Sequence, residues 1–235
     1  MEPKILIIVE GAKTDLKLMK HLLNVYGIDK RHQIVSFNTN IYTLYNEMFA
    51  GGDPENLDIL QVLKEREHND EKRRILDDIY SDILLVFDLD PQAPDFSPNK
   101  ICEMMSYFTE SSDMGKLYLN YPMVESFYHM KSIPDDEYLE RKIAVSLLSK
   151  YKSIVNSENR NKDYTKFAVN KEECDIVIRQ NLEKGKLLSN EAAAQIPDEV
   201  KILEKELSLI DSEESVSVLC TCTYYIAEYD SKLIE

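Results

Sequence analysis

The stretch Lys4-Ile5-Leu6-Ile7-Ile8-Val9-Glu10-Gly11 decides the fold class. Ile5 to Val9 is a short, unbroken and mostly β-branched apolar run. Such a run fits a strand covered on both faces, as in a parallel sheet, because neither face then needs polar side chains. It stops at Glu10-Gly11. Beyond it, Leu16, Met19, Leu22, Leu23 and Tyr26 recur at helical spacing, with Thr14 placed to cap the helix and Gly27 to end it. Gln33 to Phe37 reads as a second short strand. Strand, helix and strand in this order open a βαβ arrangement, so the chain is expected to be α/β.

The signature returns at Asp82-Ile83-Leu84-Leu85-Val86-Phe87, followed by Asp88-Leu89-Asp90-Pro91. Proline cannot donate to a strand ladder, so Pro91 leaves both aspartates at the carboxyl lip of that strand. Between the two long strands, residues 39–82 read as a charged, helical insertion. Ile41, Leu44, Tyr45 and Met48 share one face, and Leu57, Leu60, Val62 and Leu63 form another. The mixed-charge run Glu65 to Asp78 reads as solvated helix surface. After Ser97-Pro98 comes an amphipathic stretch (Ile101, Met104, Met105, Phe108) and then a strand at Lys116 to Leu119. Asn120-Tyr121-Pro122 follows, with a helix expected to start at Pro122. Residues 134–235 read as mainly helical. Val200, Leu203, Leu207 and Ile210 supply one apolar stripe there, and Ser217 to Ile226 reads as a closing helix or strand. The expected organisation is a core over 1–133 with an insertion at about 39–82, and a helical region over 134–235.

Composition narrows the function classes. The chain has 235 residues, 28 Lys+Arg against 43 Asp+Glu, and a net charge of -15. With 43 % hydrophobic residues it has material for a core. A chain this acidic cannot hold a polyphosphate by bulk charge, so nucleic-acid chemistry would need metal ions or a basic partner. No apolar stretch approaches the ~18 residues of a membrane span, and Ile5 to Val9 lacks the length and cleavage site of a signal peptide. A cytoplasmic protein is expected. Cys102, Cys174, Cys220 and Cys222 then read as reduced thiols, since a lone C-x-C is a poor zinc site.

Ligands of open α/β sheets gather at the carboxyl ends of the strands. This sequence puts Glu10 after the first strand, Asp88 and Asp90 after the second long one, and Glu125 just beyond the third. Carboxylates brought together repel one another, and hard divalent cations relieve that repulsion; oxygen donors select Mg²⁺ or Mn²⁺ over zinc. Strand alternation points Asp88 and Asp90 the same way and Leu89 the other. Taken singly, each acid also reads as a solvated turn residue or cap; their recurrence after buried strands carries the signal. His129 and Lys131 follow Glu125, with Lys131 a candidate charge stabiliser or else part of a solvated face. His21, His32 and His68 lack ligand spacing. The 14 tyrosines read mainly as packing, and Lys162 to Lys171 as a modest basic surface segment.

Val9-Glu10-Gly11 with Thr14-Asp15, then Phe87-Asp88-Leu89-Asp90, resembles the TOPRIM fold of topoisomerases, primases and related nucleases, which carries a Glu at its first strand and D-x-D at a later one. Glu10 to Asp15 is similar to the first motif of the stand-alone RloB-like and OLD-like branches. Leu119-Asn120-Tyr121-Pro122-Met123-Val124-Glu125-Ser126-Phe127 resembles the Asn-Pro…Glu motif of the RloB-like branch, with Tyr121 standing between Asn and Pro. The resemblance covers residues 4–131. It implies a Rossmann-like, mostly parallel sheet flanked by helices. It implies Glu10 as metal ligand or general acid/base, Asp88 and Asp90 on Mg²⁺ (or Mn²⁺), and Asp15 and Glu125 toward a second ion. The implied activity is hydrolysis of phosphodiester bonds in RNA (tRNA) or DNA, as a toxic antiphage effector restrained by an ABC- or AAA-type ATPase partner, with homodimerisation a further expectation. No Walker A motif is present, so an ATPase would be another chain. Two alternatives stand beside it. One is a haloacid-dehalogenase-type phosphatase with Asp88 as nucleophile and Asp90 as acid/base, although Gln92 stands where that family expects Thr or Val. The other is a non-catalytic interaction module.

Overall fold

Strand β1 (Lys4–Val9) forms as its composition requires, with Leu6 to Val9 wholly inaccessible. It pairs in parallel with β2 (His32–Ser36) on one edge and β3 (Tyr80–Asp88) on the other. The sheet order is β2-β1-β3-β5-β4, with β5 at Gly115–Asn120 and the short β4 (Thr109–Glu110) antiparallel to it. The architecture is α/β: a mostly parallel, Rossmann-like sheet flanked by helices. The chain leaves β1 for β2 on one side and returns to β3 on the other. The carboxyl ends of β1 and β3 therefore border the point where strand order reverses, the position at which open α/β sheets bind ligands.

The computed structural model describes residues 3–49 and 58–234; Leu57 of the expected apolar stripe lies outside them. The chain divides into two compact units, residues 1–87 with 97–118 and residues 88–96 with 119–235. The first holds most of the sheet with α1 (Thr14–Val25), α2 (Ile41–Phe49), α3 (Ile59–Arg66), α4 (Asp70–Leu76) and α5 (Pro98–Tyr107). Local chemistry fixes their ends. The side chains of Asp58, Asn69 and Ser97 accept amide hydrogens at the starts of α3, α4 and α5, and Pro98 occupies the first turn of α5. Thr14 is the first residue of α1 rather than its cap; Lys13 holds that place without a side-chain hydrogen bond. Gly27, at φ 67, takes the left-handed conformation that ends α1.

The second unit contains α6 (Tyr151–Glu158), α7 (Lys171–Ser189), α8 (Glu199–Glu213) and α9 (Tyr224–Tyr229). Residue 133 lies within it. Two three-residue strands, β6 (Lys142–Ala144) and β7 (Ser215–Ser217), pair antiparallel. They are too short to leave a period in the sequence. Two other expectations are corrected. No helix starts at Pro122: the Tyr121–Pro122 peptide is cis, and a 3-10 turn at Val124–Tyr128 follows. The buried face of α8 is Ile202, Leu203, Glu206 and Leu209, while Val200 is exposed. An apolar-only reading turned that stripe because the true face includes a glutamate. Ser217 to Ile226 spans the end of β7, a 3-10 turn at Thr221–Thr223 and the start of α9. Among the described residues, no helix is long and apolar enough to cross a membrane.

Candidate active site

The acids predicted at the strand ends fall into two groups. Glu10 and Asp15 belong to the first unit; Asp88, Asp90 and Glu125 belong to the second. Glu10 sits at the end of β1, where its N–H donates to the Val86 carbonyl (3.0 Å) and its own carbonyl accepts from the N–H of Asn38 (2.8 Å). Asp15, in the first turn of α1, is 6 % exposed. It lies so close to Gly11 that a Cβ there would come 2.6 Å from Asp15 Oδ2. Gly11 is therefore what lets the acid of the first turn fold back over the strand end.

In the second unit the hydrogen bonding of β3 to β5 continues past the last strand residue. Leu89 N–H donates to the Asn120 carbonyl (3.0 Å) and Asp90 N–H to the Pro122 carbonyl (3.1 Å). Asp88 is buried, and its Oδ1 accepts from the Val124 N–H (2.8 Å) and from Asn120 Nδ2 (3.4 Å). Asn120 is itself fully buried, and its Oδ1 accepts from the Cys222 N–H (3.4 Å). Asp88 is thereby fixed to two segments distant in sequence.

Asp90 departs from the expected alternation. The strand ends at Asp88, and Asp90 adopts φ 44, in the left-handed region that aspartate tolerates better than most residues. Its direction is set by that turn and not by pleating. Its Oδ1 accepts from Gln92 Nε2 (2.8 Å), and its carbonyl from the Ala93 N–H (2.9 Å). Burial pushes the Asp90 carboxyl above the usual range. Gln92 and Lys152 pull it down, while Glu125 and Asp95 push it further up. The negative charge of Glu125 is thus one of the lesser influences on Asp90, after burial, Gln92 and Lys152.

Glu125 lies in the 3-10 turn and is 1 % exposed. Lys152, near the start of α6, brings its Nζ to 3.1 Å from Glu125 Oε1. Glu125 Oε2 is buried without a hydrogen-bond partner. Lys152 escaped the sequence reading because one lysine on a helix of mixed polarity carries no spacing signal. Lys131, the basic residue that was singled out, pairs with Glu137 (2.8 Å) on an exposed surface, and its backbone N–H donates to Asp135. His129 is 2 % exposed, with Nδ1 3.1 Å from Tyr151 Oη and Nε2 3.1 Å from Glu158 Oε2. Burial holds its pKa below the ordinary histidine value, against the pull of Glu158.

The donor set has the chemistry of a hard-cation site: carboxylate oxygens, one of them buried without a partner. As these side chains stand, however, no group of three or more His, Cys, Asp or Glu among the described residues is gathered to hold a metal ion. The ammonium of Lys152 is the positive charge on Glu125 in this structure. None of the four cysteines is in a disulfide, and Cys220 Sγ and Cys222 Sγ lie 3.4 Å apart in the core. No family model, curated protein or solved structure matches this chain.

Proposed function

We propose that this chain is a divalent-cation-dependent hydrolase of phosphodiester bonds, a TOPRIM-type nuclease, with Asp88, Asp90 and Glu125 as the carboxylates that hold Mg²⁺ or Mn²⁺. The observation that carries the reading is the buried carboxylate of Glu125, one oxygen of which has no hydrogen-bond partner. Asp90, two residues past the end of β3, has its carboxyl raised chiefly by burial, with Glu125's charge a lesser influence. A buried carboxylate is costly unless cationic charge compensates it; of the two Glu125 oxygens Lys152 meets only Oε1, and it stands largely in water, so the unpartnered Oε2 is the atom that would take a cation. The place of Asp88 and Asp90 at the carboxyl lip of β3, on the strand bordering the switch point, supports a catalytic role over a structural one.

When bound, the ion would supply an activated water and neutralise charge on the phosphoryl oxygens. The chain's own residues divide the remaining work. Asp88, held by Val124 and Asn120, keeps a fixed carboxylate orientation. Asp90, redirected by its left-handed φ and bonded by Gln92, is the second of these carboxylates. Lys152 balances Glu125 and offers positive charge near the phosphate. Glu10, in the other unit, carries only the general acid/base role that the resemblance implies. The substrate is RNA, with tRNA foremost, or DNA, and a separate ATPase restrains the activity.

One observation favours a second reading, a non-catalytic interaction module. Lys152 already compensates Glu125, and three donors are not gathered. Incubation of purified protein with tRNA and with plasmid DNA in Mg²⁺ or Mn²⁺ separates the two. The nuclease reading expects cleavage that falls by at least ~100-fold in Asp88→Asn, Asp90→Asn and Glu10→Gln, the order seen when a positioned catalytic group is removed. Absence of cleavage even with the cognate ATPase, together with no calorimetric Mn²⁺ binding, would establish the module instead.

A further inference from the structure

At the carboxyl end of β2, wholly inside the first unit, the surface opens into a cleft of about 220 Å³. Ser36, Phe37, Asn38, Arg66, His68 and Lys72 line it. A guanidinium, an ammonium and an imidazole share one small opening with the Glu67 carboxylate, in a chain whose net charge is -15. The Arg66 guanidinium lies over the Phe37 ring, 4.5 Å from its centroid, and donates from Nη1 to Glu47 Oε1 at 2.5 Å. That ion pair takes one of the five N–H donors a guanidinium carries, and the stacked ring holds the fork in place. Lys72 reaches the Ser36 hydroxyl at 3.4 Å and Glu67 at 3.5 Å, both long contacts that a stronger acceptor can replace. Glu67 also lines the cleft, and its Oε1 is occupied by the Asn69 N–H (2.8 Å). Asn38, at φ 65, donates its backbone N–H to the Glu10 carbonyl and its side-chain Nδ2 to the Ser36 carbonyl. The cleft therefore lies one strand away from Glu10 along the same edge of the sheet.

We propose that this cleft binds a phosphate group, the phosphodiester of a nucleic-acid strand. A guanidinium fork, an ammonium and a hydroxyl form the donor set that phosphate oxygens select. The volume is below the ~300–1,000 Å³ of pockets that enclose drug-sized ligands, so it suits one phosphate with its ester arms left outside. The position, beyond the carboxyl end of a parallel strand, is where such sheets take ligands. An acidic chain cannot gather a polyanion by its overall field, so it needs a local cationic seat for the backbone. The identification of the phosphate as part of a nucleic-acid strand rests on the nuclease reading; the phosphate seat itself does not.

The test is run in EDTA, so that binding is read without cleavage. Anisotropy of a short fluorescein-labelled single-stranded oligonucleotide is followed across a salt series, with inorganic phosphate as competitor. Arg66→Gln and Lys72→Gln are each expected to weaken binding by about 5- to 10-fold and to lower the salt slope by about one counterion, as loss of a phosphate contact does. Lys201→Gln, which removes a surface lysine paired with Glu191 in the other unit, is expected to change neither. Lys72→Gln is read alongside Arg66→Gln because its side chain is the less engaged of the two, and melting curves verify that each variant is folded. Cleavage is read separately in Mg²⁺, so oligonucleotide binding in EDTA without any cleavage sinks the nuclease reading alone, and cleavage with binding unchanged in the cleft variants sinks the cleft alone. Calorimetric binding of inorganic phosphate alone, lost in Arg66→Gln, without any oligonucleotide binding would overturn the nucleic-acid source. Binding unchanged in the Arg66→Gln/Lys72→Gln double variant, or absent for both ligands in the wild type, would overturn the proposal.

Discussion

Glu125 and Lys152 form a pair of unequal partners: the carboxylate is 1 % exposed and the lysine side chain 68 % exposed. Breaking a fully buried ion pair by removing one partner costs about 3–5 kcal/mol, because the other charge is left uncompensated. Lys152 stands largely in water, which screens its share, so Lys152→Met should cost about 1–2 kcal/mol. Urea denaturation at neutral pH measures it, and a shift of the midpoint with unchanged slope is the expected form. Lys152→Met combined with Glu125→Gln should recover part of the loss, since the stranded charge is then gone. A single variant as stable as wild type would mean that solvent alone compensates Glu125, and the argument for a cation-seeking carboxylate would fall. The same scale shows where a sequence rule stops. Alternation placed Asp88 and Asp90 on one side of a strand, but the strand ends between them and a left-handed φ redirects Asp90. The residue types were legible; their directions were not.

Helix α7 shows an element whose ends are local and whose packing is not. The Asn170 side chain accepts from the Glu173 N–H at its start, and Asn190, in the left-handed conformation, closes it. Both signals are written in the sequence. Gly185 in its last third is not explained by any local rule, since glycine costs a helix about 1 kcal/mol relative to alanine. The structure supplies the reason: a Cβ at Gly185 would lie 2.1 Å from Tyr224 Oη and 2.7 Å from Pro197 Cγ. Tyr224, at the start of α9, is fully buried and donates its hydroxyl to the Asn181 carbonyl on α7 (3.1 Å). Gly185→Ala should therefore destabilise despite its better propensity, by about 1–3 kcal/mol, the range for overpacking a filled core. A thermal melt decides it; a variant with a raised Tm would show that Tyr224 moves aside freely. The α8 stripe teaches a related lesson, because a face containing Glu206 cannot be found by counting apolar residues.

Across the whole molecule, stability at neutral pH carries a penalty from two buried groups. Burial pushes the Glu206 carboxyl up to about 7, opposed by its bond from Ser217. Burial likewise pushes the Lys184 ammonium down to about 7, although its Nζ donates to the carbonyls of Tyr138 and Arg141. A raised carboxyl contributes stability that is complete below its unfolded value of 4.5 and lost as pH rises through about 7. A depressed ammonium contributes stability that is present above 10.5 and lost as pH falls through about 7. The two windows meet near neutrality, where these groups together stabilise the fold least. His32 and His129, both lowered by burial, act in the opposite direction to Glu206 as pH falls below 6.5. The diagnostic is therefore a difference between proteins. Glu206→Gln should gain on wild type by about 2–3 kcal/mol between pH 4.5 and 7.5 in urea unfolding, following ~1.4 kcal/mol per pKa unit with allowance for the Lys184 partner. A difference that stays flat with pH would show that Glu206 titrates as an ordinary carboxylate.

The sequence by itself determined the α/β class, the two buried strands, the glycine that ends α1 and the acids at the strand ends. Each of these is a matter of period, composition or neighbours within a few positions. Only the tertiary structure decided how those acids are compensated, because Lys152, Asn120 and the turn at Val124 reach Asp88 and Glu125 from segments that no local period connects. The cleft at the end of β2 follows the same rule. Arg66 and Lys72 sit in a mixed-charge stretch that reads as plain solvated surface, and folding brings them to Ser36 and Phe37 some thirty positions away. Burial and charge pairing depend on distance in space, and a one-dimensional pattern carries distance only along the chain.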